Sequence, residues 1–197
     1  MLQRSLDGPV DKPTQILQGA MQVFLEKGYN GASMDRVAMV AGVSKQTLYS
    51  HFQDKEGLFV ALVQHLAVDR FQLIFGAQSF DQDAETVLRS LAQAFLTQVA
   101  SDQNYLAFMR LLIGESGRFP ELGEVFIKNV TSPGHQVLSQ FFRSRPDLHI
   151  KDPESTAWVF MGTLVSYVLS QQLLQAKKVM PLDASALVDQ LVQMILG

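Results

Sequence analysis

Residues 45–52, KQTLYSHF, read as one short helix whose two sides differ in chemistry. At about 100° per residue, Leu48 and Phe52 share one side, while Gln46 and Ser50 fall opposite, flanked by Thr47 and Tyr49. That outer arc is dense in hydrogen-bonding groups, carries no acid, and is edged by Lys45 and His51. Such a face suits the major groove of DNA, where a glutamine can pair with adenine N6 and N7 and a threonine methyl can meet that of thymine. For Gln46 two readings stand open, a base contact or a solvated side chain. For Tyr49 they are a phosphate contact through the hydroxyl or packing against the first helix.

The elements that would position this face are short and well punctuated. A helix from Met34 to Ala41 follows Ser33 as cap, Gly42 and Val43 form a tight turn, and Ser44 caps the next helix. Small Ala38 stands four residues before Gly42, and Val37, Ala41, Val43, Leu48 and Phe52 supply the apolar contacts of a helix-turn-helix. Upstream, a helix opens at Pro13 and Thr14, carries Leu17, Ala20 and Phe24 on one stripe with Ile16 and Val23 beside it, and ends at Gly28. Thr14, Ser33 and Ser44 sit at helix starts, where free amides favour a phosphate, and Lys55 lies in the first turn of a long helix capped by Asp54 and reaching about Gly76.

Charge agrees in sign with a local anion-binding surface. The whole chain of 197 residues carries a formal net charge of −3, but residues 12–55 hold five cationic and three acidic side chains, +2, and residues 61–197 hold ten and thirteen, −3. Fitted contacts are therefore expected to outweigh bulk attraction. Catalytic signals are missing from the sequence. There is no G-x-S-x-G, no H-E-x-x-H and no Gly-rich phosphate loop, no cysteine, and His51, His65, His135 and His149 are never three or four apart. The reading is no enzyme and no cofactor. With no cysteine to form disulfides, and no apolar run for a signal peptide in the first dozen residues, a cytoplasmic location is expected.

The block AGVSKQTLYSHFQDKEGL, within a stretch from Thr14 to Leu62, resembles the DNA-binding domain of TetR-family transcriptional regulators. GESGRFPELGEVF resembles, over fewer residues, the C-terminal domain type of AefR-like members. The resemblance implies an all-α fold, a double-stranded DNA operator of pseudo-palindromic form read by a homodimer, and a small-molecule effector that releases it, most commonly from repression. It places DNA contacts on Lys45, Gln46, Thr47, Tyr49, Ser50, His51 and Lys55, with Thr14, Ser33 and Met34 at neighbouring helix starts. Gln46 departs from the pattern, standing where many members have a small residue. The domain reading is an N-terminal arm over 1–12, a helix-turn-helix domain over 13–57 and a ligand-binding and dimerisation domain over 58–197. Transcriptional activation, or a helix-turn-helix kept for protein contacts without an inducer, are the alternatives.

The rest of the chain reads as helices near 84–100, 103–117, 120–130, 134–144, 153–176 and 183–196, with Pro133 and Gly134 required to break or kink the helix that contains them. Phe71, Phe75, Phe95, Tyr105, Phe108, Met109, Phe126 and Phe160 are adaptable surface of the kind that lines a ligand pocket, although taken singly each is more often core. Arg110 falls in an apolar helix, either to meet an anionic ligand or to pair with Glu115 or another acid. The uncharged run from Ser155 to Ala176 is long enough to cross a bilayer, yet its serines, threonines and glutamines favour a helix buried on all sides, with no membrane partner. Trp158, Met161, Gly162, Val165, Ser166 and Leu169, with Leu187, Leu191, Val192 and Ile195 of the last helix, are the expected homodimer seam.

Overall fold

The computed structural model describes residues 11–197, and among them the regular structure is helical, with no strand. Residues 1–10 of the expected arm lie outside the described residues, and the last two belong to the start of the first helix, α1 (Lys12–Gly31), Asp11 as its cap and Lys12 as its first residue. The helix opens earlier than Pro13 and Thr14: the Asp11 carboxylate caps it by accepting the Thr14 amide at 2.8 Å, and Pro13 sits in the first turn, where its missing N–H costs nothing. Ile16, Leu17, Ala20, Val23 and Phe24 are all buried, as their spacing requires. Gly28, at φ 71° and ψ 169°, interrupts α1 with a conformation that L side chains rarely adopt.

Next come α2 (Met34–Val40) and α3 (Lys45–His51), each opened by a serine whose hydroxyl accepts an amide three residues on, Ser33 from Arg36 at 3.3 Å and Ser44 from Thr47 at 3.0 Å. Gly42, at φ 64°, makes the turn between them. The close approach that holds this pair to α1 comes from Gly19. A Cβ built there would lie 2.7 Å from Ala41 Cβ and 2.9 Å from its backbone nitrogen. Beside it, the Gln15 side-chain amide donates to the Ala41 carbonyl at 2.7 Å.

The remaining helices are α4 (Lys55–Phe75), α5 (Ala84–Ala100), α6 (Gln103–Ser116), α7 (Pro120–Phe126), α8 (Ser132–Arg143), α9 (Pro153–Val168) and α10 (Ala184–Leu196). The chain forms two compact units, one containing residues to Ala67 together with Ala107–Ile127, the other Val68–Leu106 with Lys128–Gly197. In the first, Phe24, Phe59 and Phe108 form a continuous aromatic core, with ring centroids 5.6 Å apart at both contacts. The end of α6 and all of α7 thus belong to the same core as the helix-turn-helix. Among the described residues α4 is the one helix long and apolar enough to cross a membrane, but Leu58, Phe59, Leu62 and Val63 of its first half are buried in this core.

In the second unit, α5 buries Val87, Leu88, Leu91, Ala92, Phe95, Leu96 and Val99 and packs against α9 and α10, while α8 packs along α9. Pro133 does not break the chain. A π-helical turn over Ile127–Thr131 joins α7 to α8, the wider turn accommodating the missing amide, and Pro133 falls in the first turn of α8. The helix expected over 153–176 is shorter. It is α-helical to Val168, passes through a π-helical turn at Leu169–Leu173, and stops before Gln175, which is left-handed at φ 56°. Buried Gln171 fixes this end by donating to the Met180 carbonyl at 2.8 Å. Nor is α9 buried on all sides: Ala157, Phe160, Leu164 and Val168 face the core, whereas Trp158, Val159, Val165 and Leu169 are exposed.

Candidate nucleic-acid interface

α3 presents the arc its sequence predicts. Leu48 is fully buried, and Lys45, Gln46, Tyr49, Ser50 and His51 are exposed. Thr47 is half-buried, its hydroxyl 2.8 Å from that of Ser44, so part of its hydrogen-bonding capacity serves the cap. Ser50 donates to the Thr47 carbonyl at 2.8 Å, which leaves its lone pairs outward. The Lys45 ammonium lies 2.6 Å from Asp35 Oδ2 on α2. Gln46 and Tyr49 are long outward side chains of α3 with neutral hydrogen-bonding ends, and neither brings a negative charge to a groove.

The other expected contact residues divide. Ser33 and Ser44 use their hydroxyls to cap their own helices. Met34 is buried, so its side chain is core. Thr14 is half-buried in the first turn of α1. Lys55 does not extend into solvent: its ammonium donates to the carbonyls of Tyr29 at 2.9 Å and of Asn30 and Ala32 at 3.4 Å, and it lies 4.6 Å from the centroid of the Tyr29 ring. It fills the carbonyl-rich end left by the break in α1. Gln15, Gly19 and Tyr29, which pattern reading passed over, hold this region together, and Glu115, expected as a partner for Arg110, accepts the Tyr29 amide. A glycine in mid-helix, costing about 1 kcal/mol of propensity, was the available signal for Gly19.

The aromatic set proposed for a pocket falls in both units. Phe71, Phe75, Phe95, Tyr105 and Phe160 belong to the second, where Phe71 and Phe75 are 4.9 Å apart and Phe75, Phe95, Tyr105 and Phe160 are buried. Phe108, Met109, Arg110 and Phe126 belong to the first, where Phe108 is core against Phe59 and Arg110 is exposed. Two clefts open in the second unit. One of about 240 Å³ lies between α8 and α9 beside His135, Arg143, Glu154 and Trp158, and the other, about 400 Å³, lies beside His149, Lys151, Thr156 and Met194. Neither is lined by that aromatic set.

For self-association, Trp158, Gly162, Val165 and Ser166 of α9, with Leu169 at the start of the π-helical turn after it, form an exposed stripe, and a Cβ added at Gly162 would meet nothing within 4 Å. Leu191 and Val192 do not join it. Both are buried against the protomer's own helices, because the period that marks a seam also marks a core, and here α5 and α9 cover that side of α10. Leu187, Ile195 and Met161 are half-buried, and Met194, absent from the sequence-derived set, is exposed.

Comparison with known proteins matches residues 16–62 to the model for bacterial regulatory proteins of the tetR family, and residues 86–197 to that for the C-terminal domain of AefR-like transcriptional repressors. The chain is 35% identical over 88 residues to the HTH-type transcriptional activator FasR of Mycolicibacterium smegmatis, covering 45% of this chain and 40% of that one. It is 43% identical over 58 residues to the HTH-type transcriptional repressor AcnR of Corynebacterium efficiens, covering 29% of this chain and 31% of the other. These matches therefore span less than half the length of either relative. Over the full fold, the Flavonoid-responsive Regulator FrrA superposes with a TM-score of 0.74 at 28% identity, covering 94% of this chain and 93% of that one.

Proposed function

The chain belongs to the TetR family of bacterial transcriptional regulators, whose members are regulators and not enzymes, and from that premise we propose that it is a cytoplasmic, ligand-responsive repressor. It binds a pseudo-palindromic operator as a homodimer. The observation that carries this reading is α3 itself: an exposed Gln46, Tyr49 and Ser50 with no acid on the outer arc, mounted on a buried Leu48. In a homodimer joined through the exposed stripe of α9, two such helices enter successive major grooves about 34–36 Å apart.

The second unit serves as effector and dimerisation domain, and the effector is a small apolar or amphipathic molecule that binds the released form more tightly than the DNA-bound form. Support comes from a relative whose name makes it flavonoid-responsive and which shares the fold over nearly the whole chain. Repression is favoured by the AefR-like repressor domain match; activation is the second reading, favoured by the likeness to an activator.

The test is selection from a random-sequence duplex pool with the full chain. The expected outcome is an enriched inverted repeat whose half-site centres are about 10 base pairs, or a multiple, apart. Gln46→Ala then relaxes preference at one position in each half-site. Failure to enrich any sequence over the starting pool overturns the proposal.

A further inference from the structure

Tyr29 is the first residue after the Gly28 interruption of α1, and both of its backbone groups are taken by side chains from distant parts of the sequence. Its N–H donates to Glu115 Oε1 at 3.0 Å, and its carbonyl accepts from Lys55 Nζ at 2.9 Å. Lys55 is the first residue of α4, and Glu115 lies in the last turn of α6. The Tyr29 ring is buried, 5.4 Å from Phe59 and 5.0 Å from Phe119. A Cβ added at Gly28 would lie 2.8 Å from Glu115 Oε1, so the glycine leaves open the space this carboxylate occupies.

The arrangement answers a need the sequence creates. Breaking α1 at Gly28 leaves the next amide without an intrahelical acceptor, and a buried amide without a partner is costly. A carboxylate on the N–H and an ammonium on the C=O are both charge-assisted bonds, stronger and more directional than neutral ones. They also decide which helices control the peptide. The segment that follows, Asn30 to Ser33, leads straight into α2 and so into α3. α4 and α6 both continue into the second unit, where Arg70 of α4 is ion-paired with Asp102 at the start of α6.

We propose that Glu115 is a positioning residue for DNA reading: through the Tyr29 amide, α6 sets the direction in which the α1–α2 connection delivers α2 and α3. The inference rests on the DNA-binding reading above.

The experiment uses the full chain with Glu115→Ala and Glu115→Gln, and two readouts. Hydrogen exchange is followed at Tyr29 and across α2, α3 and α5. Affinity is measured, over a salt series, for the duplex that the wild-type chain enriches from a random pool. In E115A the Tyr29 amide is expected to exchange about tenfold faster, with α2 and α3 following and α5 unchanged, and affinity to fall about tenfold at unaltered salt slope. E115Q keeps an oxygen acceptor and is expected to stay within about threefold on both readouts. Unchanged Tyr29 exchange in E115A, faster exchange spread evenly into α5, or unchanged affinity overturns the proposal; so does an E115Q loss as deep as that of E115A. A wild-type chain that enriches no duplex overturns the DNA reading itself. Exchange at α2 and α3, which needs no DNA, still decides whether Glu115 holds those helices in place.

Discussion

The Lys45 ammonium donates to Asp35 Oδ2 at 2.6 Å, setting a carboxylate from α2 against a cation at the start of α3. Both side chains are well exposed, 65% and 61%, so the pair contributes little to folding, about 0–1 kcal/mol. Its effect on binding is larger, because a carboxylate beside the reading helix repels phosphate and occupies the cation that would displace a counterion. Asp35→Asn is expected to leave stability within about 0.5 kcal/mol and to strengthen DNA binding, with the slope of log affinity against log salt steeper by about one. A salt series on the selected duplex checks this; an unchanged slope places Lys45 away from the phosphates.

Gly19 allows α1 to touch the turn between α2 and α3, with an added Cβ 2.7 Å from Ala41 Cβ and 2.9 Å from Ala41 N. Gly19→Ala would gain about 1 kcal/mol of helix propensity and lose more to overpacking, for a net destabilisation of about 1–2 kcal/mol. Urea denaturation measures it. Adding Ala41→Gly should restore only part of the loss, since the backbone nitrogen remains in the way. A stabilised Gly19→Ala protein would show that this contact yields freely.

These two contacts mark where the sequence was legible and where it was not. The reading face of α3 follows from a few residues with strong local rules, a serine cap, a 3.6-residue period and one buried leucine, and it could be read without knowing the rest of the fold. Gly19 against Ala41 and Glu115 against Tyr29 join residues far apart in sequence, and no local rule reports them. Asp11 caps α1 by accepting the Thr14 amide, so the helix begins ahead of Thr14. On α9 and α10 the difficulty is one of degeneracy. Trp158 and Leu191 obey the same periodicity, and only the packing of neighbouring helices leaves one exposed and buries the other.

Lys55 tests the difference between a residue that touches DNA and one that shapes the unit that does. Its position in the sequence suits a phosphate contact, whose removal weakens all sequences evenly and lowers the salt slope. Its geometry commits the ammonium to the carbonyls of Tyr29, Asn30 and Ala32. Lys55→Met is therefore expected to cost about 1–2 kcal/mol of stability, to lower the melting temperature, and to leave the salt slope as it was. A slope reduced by about one at unchanged stability would return Lys55 to the phosphates.

Arg70 and Asp102 make the pH dependence of the second unit predictable in sign. Arg70 is buried; one arm meets the Asp102 carboxylate, the other donates to the Gln98 carbonyl at 2.5 Å, and the guanidinium lies 4.5 Å from the Tyr105 ring centroid. Burial works to raise the pKa of Asp102, but the Tyr105 amide, bound at 3.0 Å, and the Arg70 guanidinium together hold it below the ordinary value of 3.8. Burial pushes the Tyr105 phenol up to about 12, so it stays neutral throughout the acid range. A carboxylate depressed in the folded state stabilises fully above its unfolded pKa, about 3.9, and that contribution disappears as pH falls through the folded value. Asp102→Asn leaves a buried cation without its counter-charge and is expected to lose about 2–3 kcal/mol at pH 7, toward the low end for a buried pair because Asp102 is partly exposed. The gap between wild type and variant should stay constant from pH 7 to about pH 5 and narrow below pH 4, where the wild type protonates and the asparagine cannot. Urea melts at several pH values follow it; a gap that does not narrow in acid would assign the loss to the changed hydrogen bonds alone and remove the charge of Asp102 from the account.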